Sequence, residues 1–345
     1  MIPEAKKTAV IHALQVTFGV SEFEDISQLT TGLSSALVFR IMVLGKPYLL
    51  KIITRTDAMT DPTHHFNCMT PAAKAGICPR IWYKSIEDRI SITDFIEARP
   101  FPIREAREKL PNLLKRLHAL PPFSFRLNWL DFVDRAIQKF QDAKILPTHL
   151  TSELFGLYAN IKTVYPRNCQ EWVACHNDLK PENILYDGNR AWIVDWESVF
   201  LNDRYVDLAI IANFVVRSDQ EEKDYLESYF GEEASEYQHA RFFLMRQVLH
   251  MSYFTFFMLL ISAAGKPIDM DLNKTDFRTF HDQMWAGKIN LANDEARQEY
   301  AWAHLQQLQH NLRLKRFDDA LQIVSSNPSV TNNSLFNEER SLPSQ

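Results

Sequence analysis

Residues 174–207 read ACHNDLKPENILYDGNRAWIVDWESVFLNDRYVD. Within them His176, Asp178, Lys180 and Asn183 form an H-x-D-x-K-x-x-N string, and Asp195 follows Asn183 by 12 residues. Two short apolar runs, 183–186 and 191–195, flank Asp187-Gly188, which predicts a hairpin that returns Asp195 toward Asn183. One loop and one hairpin then gather a carboxylate, a cation, an amide oxygen and a second carboxylate. That set suits metal-assisted phosphoryl transfer. Asp178 can accept the proton of an attacking hydroxyl, Asn183 and Asp195 are hard oxygen ligands for Mg2+, and Lys180 can meet charge on the transferred group. A lone His-Asn-Asp in a loop is more often a turn or capping device. The full set at fixed spacing, with Asp195-Trp196-Glu197 directly after a strand, favours the chemical reading.

Upstream, the opening MIPEAKKTAVIHALQVTFG reads as an amphipathic helix, followed by strand-like runs at Asp25–Leu29, Leu37–Val43 and Tyr48–Ile53. Gly45-Lys46-Pro47 predicts a hairpin turn between the second and third runs. A helix over His64–Ala75 ends at Gly76, and strands follow at Arg80–Tyr83 and Ile90–Ile96. From Arg104 the patterning is helical over 104–119, 129–143, 151–163, 204–216, 219–229, 235–262, 275–286 and 293–313. The expected organisation is α+β: residues 1–97 as a small antiparallel-sheet lobe with one embedded helix, 98–324 as a large helical lobe, and 325–345 as a loose Ser/Asn-rich tail.

Composition narrows the chemistry. The 345 residues include only 9 glycines, no two closer than 13 positions, so neither G-x-G-x-x-G nor the G-x-x-x-x-G-K-[ST] phosphate loop is present. A net charge of −5 supplies no basic field for nucleic acid. Residues 176–240 hold 15 Asp/Glu against 5 Lys/Arg, which suits a metal ion or a cationic substrate, though an acidic helix face at 219–236 explains about half of it. The four cysteines show no C-x-x-C and the N-terminus no secretory pattern, so reduced thiols and a cytoplasmic protein are expected. Val248–Ala264 is 17 residues without a formal charge, short of the ~20 a membrane span needs, and reads as a buried core helix.

The segment 174–207 resembles the motif of aminoglycoside phosphotransferases and choline/ethanolamine kinases. Val194-Asp195-Trp196-Glu197 through Asn202, Arg204 and Asp207 look most like the choline kinase and LicA-type version. The resemblance implies a bilobal protein-kinase-like fold and an ATP- and Mg2+-dependent kinase acting on a hydroxyl of a small, cationic molecule. By position, Asp178 resembles the catalytic base, with Lys180 beside it. Asn183 and Asp195 resemble the magnesium ligands, and Glu197 a second-metal ligand or a residue supporting the first. Asp207 resembles the residue that opens the next helix and pins the catalytic loop. Lys51, in Tyr48-Leu49-Leu50-Lys51-Ile52, matches the strand lysine that contacts nucleotide phosphates. Thr31-Gly32-Leu33-Ser34-Ser35 resembles the loop over those phosphates, with Ser34 and Ser35 in place of further glycines. Asp94 C=O and Ile96 N–H fall where the hinge holds adenine, with the Asp94 side chain expected in solvent.

Two departures stand out. Kinase-like proteins pair the strand lysine with a glutamate on the following helix, and residues 61–68 contain none. Asp61 or Asp57 as substitute, or a lysine held by nucleotide alone, are the readings left open, as is a nucleotide-binding pseudokinase. Choline kinases also carry an acid seven residues after the last Asp of the motif, where this chain has Phe214. The aromatic residues Tyr253, Phe254, Phe256 and Phe257 could face a quaternary ammonium, but a core stripe is the more economical reading. A protein kinase is disfavoured, because Asp-Trp-Glu replaces Asp-Phe-Gly and no Ala-Pro-Glu follows.

Overall fold

In the computed structural model, which describes residues 2–29, 36–55, 61–270, 272 and 275–327, alternation in the sequence becomes alternation in burial. Helix α1 (Glu4–Phe18) precedes strands β1 (Asp25–Leu29), β2 (Leu37–Val43) and β3 (Lys46–Ile52). Strand β2 buries Phe39, Ile41 and Val43, and β3 buries Tyr48, Leu50 and Ile52. Val10, Ala13 and Leu14 of α1 share the same core. Leu44 and Gly45 both adopt positive φ (51° and 71°), the signature of a two-residue primed turn whose twist matches the strands. The turn therefore lies one residue earlier than Gly45-Lys46-Pro47 predicts, and Lys46 and Pro47 are already strand.

After α2 (Thr63–Lys74), strands β4 (Ile81–Ser85) and β5 (Ile90–Asp94) complete a five-stranded antiparallel sheet of order β1-β2-β3-β5-β4. The remainder is helical apart from short strands. It runs α3 (Ile103–His118), α4 (Trp129–Asp142), α5 (Thr148–Val164), β6 (Val173–Cys175), β7 (Ile184–Tyr186), β8 (Ala191–Ile193), β9 (Phe200–Asn202), α6 (Arg204–Val215), α7 (Asp219–Phe230), α8 (Glu236–Ala263), α9 (Phe277–Trp285), α10 (Asp294–Asn311) and α11 (Lys315–Ser325). The fold is α+β, with an antiparallel sheet toward the N-terminus.

Two units emerge. The first is built from Met1–Phe101 and Glu182–Val199, the second from Pro102–Pro181 and from Phe200 onward. The division at 97/98 expected from sequence thus differs in two ways: the first unit extends through Phe101 and also takes in the hairpin β7-β8. Backbone bonds explain the capture. Ile193 N–H donates to Ile77 C=O (2.9 Å), Arg99 N–H donates to Tyr186 C=O (2.6 Å), and Phe101 stacks on Tyr186 at 4.2 Å.

In the second unit α8 buries residues on every side, which marks a helix at the centre of a core. It packs against α4, α6, α10 and α11. By length and composition it could cross a membrane, but 72% of its most apolar window is buried inside the fold. Ser235 and Gln238 start it with a reciprocal capping box. Helix α11 was not expected from sequence, although Phe317, Ala320 and Val324 give it a buried stripe. The tail expected over 325–345 therefore begins inside a helix, and its residues 328–345 lie outside the described ones.

Candidate active site

In the second unit, β6 ends at Cys175 and the chain turns through Asn177, which holds a left-handed φ of 64° without being glycine. Such a conformation persists only where neighbours hold it. Here the fully buried Asp207 accepts from the backbone N–H of His176 (2.8 Å, Oδ2) and of Asn177 (2.7 Å, Oδ1). Asn177 Nδ2 donates to Cys175 C=O at 3.2 Å, and Asn202 Nδ2 donates to Asn177 Oδ1 at 2.7 Å. Asp207 does pin this loop. It does not open α6, because Asp203 caps that helix by accepting from Tyr205 N–H at 3.0 Å.

The loop presents Asp178, whose half-buried carboxylate accepts from Lys180 Nζ at 3.0 Å. Burial, then the negative charges of Asp178 and Asp207, push the Tyr253 phenol well above its usual range. Tyr253 thus lies within electrostatic reach of Asp178 as a neutral group, only half-buried. The core-stripe expectation holds for Phe254 and Phe257, while Phe256 is 43% exposed. Phe214 is buried against His281 and Trp285, with ring centroids at 4.9 and 6.0 Å.

In the first unit, Asn183 ends a 3-10 turn that leads into β7, and Val194 N–H donates to Asn183 C=O at 3.0 Å. That bond ties Asn183 to the end of β8, directly before Asp195. Asp195 adopts a left-handed conformation (φ 63°, ψ 72°) at the head of a second 3-10 turn, Trp196–Ser198. Trp196 is buried and donates Nε1–H to Ile193 C=O at 3.2 Å, so the turn is anchored in the core. Asn183 and Asp195 offer one amide and one carboxylate oxygen, a donor set that fits Mg2+.

Lys51 sits in the interior strand β3, paired with Val38 of β2 and Ser91 of β5. Its neighbours Leu50 and Ile52 point into the core, so Lys51 takes the opposite face. Its Nζ lies 2.7 Å from Glu197 Oε1 and 3.4 Å from Asp195 Oδ1. Burial alone would lower the pKa of Lys51, but the charges of Asp195 and then Glu197 outweigh it and the net shift is upward. Lys51 is a fixed cation.

Of the partners left open by the sequence, Asp61 is engaged elsewhere. Asp61 accepts from the N–H and hydroxyl of Thr63 (2.8 and 2.6 Å) at the start of α2, and Asp57 lies outside the described residues. From α2, His65, which is 8% exposed, lies within electrostatic influence of Lys51. Burial and then the charge of Lys51 lower its pKa to about 4, so it is neutral at pH 7.

Asp94 departs from expectation as well. Its side chain is half-buried and accepts from Trp82 Nε1 at 2.7 Å, because the indole N–H on adjacent β4 needs an acceptor. Its carbonyl accepts from the Thr93 hydroxyl at 3.3 Å, and Ile96 is half-buried in the segment after β5. Gly32, Ser34 and Ser35 lie outside the described residues. The structure therefore joins Lys51 to Asp195 and Glu197 in one unit, with Asn183 tied beside Asp195, and Asp178 to Lys180 in the other.

Sequence reasoning missed His118. It stands on α3, 89 residues before Asp207, with Nε2 at 3.2 Å from Asp207 Oδ2 and Nδ1 at 2.7 Å from the Tyr229 hydroxyl. Nothing in the sequence marks a histidine so distant as part of the loop's support. His118, Cys175 and Asp207 also form the one compact group of three metal-ligand types among the described residues. The Asp207 oxygens, however, are already taken by the loop.

Fold and site together define the class, the kinase-like α+β fold of small-molecule phosphotransferases. Residues 25–243 match the phosphotransferase enzyme family (APH), and the chain belongs to that family. Protein LicA of Haemophilus influenzae is 34% identical over 80 residues, 23% of this chain and 30% of LicA, so the match spans less than a third of that relative. A choline/ethanolamine kinase family protein from Mesorhizobium loti superposes with a TM-score of 0.65 at 20% identity, covering 93% of this chain and 100% of that one. A spectinomycin phosphotransferase in complex with ADP and spectinomycin gives 0.55 at 14% identity, covering 87% and 98%. At these identities the structural likeness speaks for the fold.

Proposed function

We propose that this protein transfers the γ-phosphoryl group of ATP, with Mg2+, to a hydroxyl of a small cationic molecule of the amino-alcohol or aminoglycoside kind. The observation that carries the proposal is the ion pair of Lys51 with Asp195. It joins a strand lysine to a carboxylate 144 residues away, two positions that sequence reading assigns separately to phosphate and to metal. The local acidity of residues 176–240 supports a cationic acceptor. The spectinomycin phosphotransferase among the neighbours was found with ADP, which supports nucleotide use.

In this mechanism the Asp178 carboxylate orients the acceptor hydroxyl and takes its proton as the oxygen attacks the γ-phosphorus and the bond to the bridging oxygen breaks. Lys180, paired with Asp178, holds that carboxylate in place and meets charge on the transferred group. Asn183 and Asp195 are the residues that would hold Mg2+, which when bound neutralises phosphate charge. Lys51 contributes a fixed positive charge toward the nucleotide phosphates. Cys68, Cys78 and Cys175 are buried free thiols, in keeping with a reducing setting.

The test is a transfer assay with ATP and Mg2+ across choline, ethanolamine, other amino alcohols and aminoglycosides. At least one acceptor is expected to gain phosphate, with activity lost in EDTA and reduced by about a thousandfold or more in Asp195→Asn. Nucleotide binding with no transfer to any of them would favour a pseudokinase instead.

A further inference from the structure

We infer that Glu197 is a positioning residue that supplies the counter-charge for Lys51, the place a helix glutamate takes in kinase-like proteins, and is not itself a metal ligand. The inference rests on the phosphotransferase reading above and concerns how that same lysine is held.

Three observations carry it. First, the distances are unequal: Glu197 Oε1 lies at 2.7 Å from Lys51 Nζ, within charge-assisted hydrogen-bond range, and Asp195 Oδ1 at 3.4 Å. A carboxylate that must also serve a metal is a poor sole partner for the lysine, since a bound dication competes for it. Glu197 can keep Lys51 in place when Asp195 turns to the metal.

Second, α2 has no acid to give. Asp61 is spent on Thr63, and the residue of α2 that feels the charge of Lys51 is the buried His65, whose Nε2 has no hydrogen-bond partner among the described residues. No carboxylate of α2 is there to pair with Lys51.

Third, α2 acts on the lysine indirectly. His64 Nε2 meets Val199 C=O at 2.7 Å, just beyond the 3-10 turn that carries Glu197, and buried Trp196 anchors the turn from inside. The helix thus braces the turn, and the turn holds the lysine. The position of Lys51 is coupled to the segment that carries Asp195.

The experiment measures binding of a non-hydrolysable ATP analogue by calorimetry, in EDTA and across a Mg2+ titration, for wild type, Glu197→Gln and the double variant Glu197→Gln/His65→Glu. Glu197→Gln is expected to weaken the analogue by about tenfold both with and without metal, leaving the Mg2+ midpoint unchanged. The double variant, which moves the carboxylate onto α2, is expected to regain most of that loss. Wild-type affinity of Glu197→Gln in EDTA together with a raised Mg2+ midpoint would overturn the inference and make Glu197 a metal ligand. A folded double variant that binds no better than Glu197→Gln would also overturn it, and if that variant does not fold the single substitution decides. Wild-type protein that binds no nucleotide in either condition would bring down the phosphotransferase reading itself, and this role of Glu197 with it.

Discussion

Asp207 exposes no surface, and the N–H groups of His176 and Asn177 and the ring of His118 converge on its two oxygens. Substituting an amide keeps the size but turns one acceptor into a donor facing other donors. Asp207→Asn is therefore expected to lose about 2–3 kcal/mol of stability in urea unfolding. It should also lower kcat by about a hundredfold, because Asp178 sits one residue beyond the left-handed Asn177 that Asp207 holds. Unchanged kcat in the folded variant would show that loop geometry does not depend on this carboxylate. The return of Asp195 toward Asn183 was legible in the sequence because the hairpin between them is local. The partnerships of Lys51 with Glu197 and of His118 with Asp207 were not, since they span 146 and 89 residues and no pattern connects positions so far apart.

Helices α8, α9 and α10 each contribute a fully buried histidine, His250, His281 and His304, to one aromatic cluster. His250 Nδ1 and His304 Nδ1 lie 2.8 Å apart, so one donates to the other, and His281 Nδ1 donates to Phe277 C=O at 2.8 Å. Burial lowers all three, His281 to about 3, and lowers His65 to about 4. In the unfolded chain each would take up a proton near the ordinary 6.5, so below that pH the unfolded state binds more protons than the folded one. Stability is fully present above about pH 6.5 and falls as pH drops toward about 4, by about 1.4 kcal/mol per group for each pH unit. Urea unfolding at pH 7.5, 6 and 5 is expected to show this loss, with a shallower slope in His281→Asn, which can keep the bond to Phe277. Equal stability at pH 5 and 7.5 would contradict it. Alternation revealed β2 and β3, and amphipathic spacing most of the helices. The three-residue strands β6 and β9 are too short to carry any period, and α11 shows its stripe only in Phe317, Ala320 and Val324.

At the scale of the whole molecule, each unit carries its own fastening. The first is closed by backbone bonds from the β7-β8 hairpin to Ile77 and Arg99. The second has a buried ion pair: Arg241 of α8 donates to Asp203 Oδ2 at 2.8 Å and also to the exposed Glu171 Oε2 at 2.8 Å, and the Tyr165 hydroxyl donates to Asp203 at 3.0 Å. Burial opposes the charge on Arg241, and the Asp203 carboxylate more than offsets it. Arg241→Met is expected to cost about 3–5 kcal/mol, because it leaves Asp203 buried without its cation, and Asp203→Asn added to it should recover part of that loss. Calorimetric melting of the two variants checks both statements. The rarity of glycine, which excludes the glycine-clustered phosphate loops, leaves the charge of the nucleotide to lysines and oxygen ligands in the proposed mechanism. Its central claim is that Asp178 takes the proton of the acceptor hydroxyl. The direct measurement is kcat for phosphate transfer to the best acceptor of the panel by purified, folded Asp178→Ala. A fall of about a thousandfold or more, with nucleotide affinity near that of wild type, is the predicted result; retention of full activity would contradict the account.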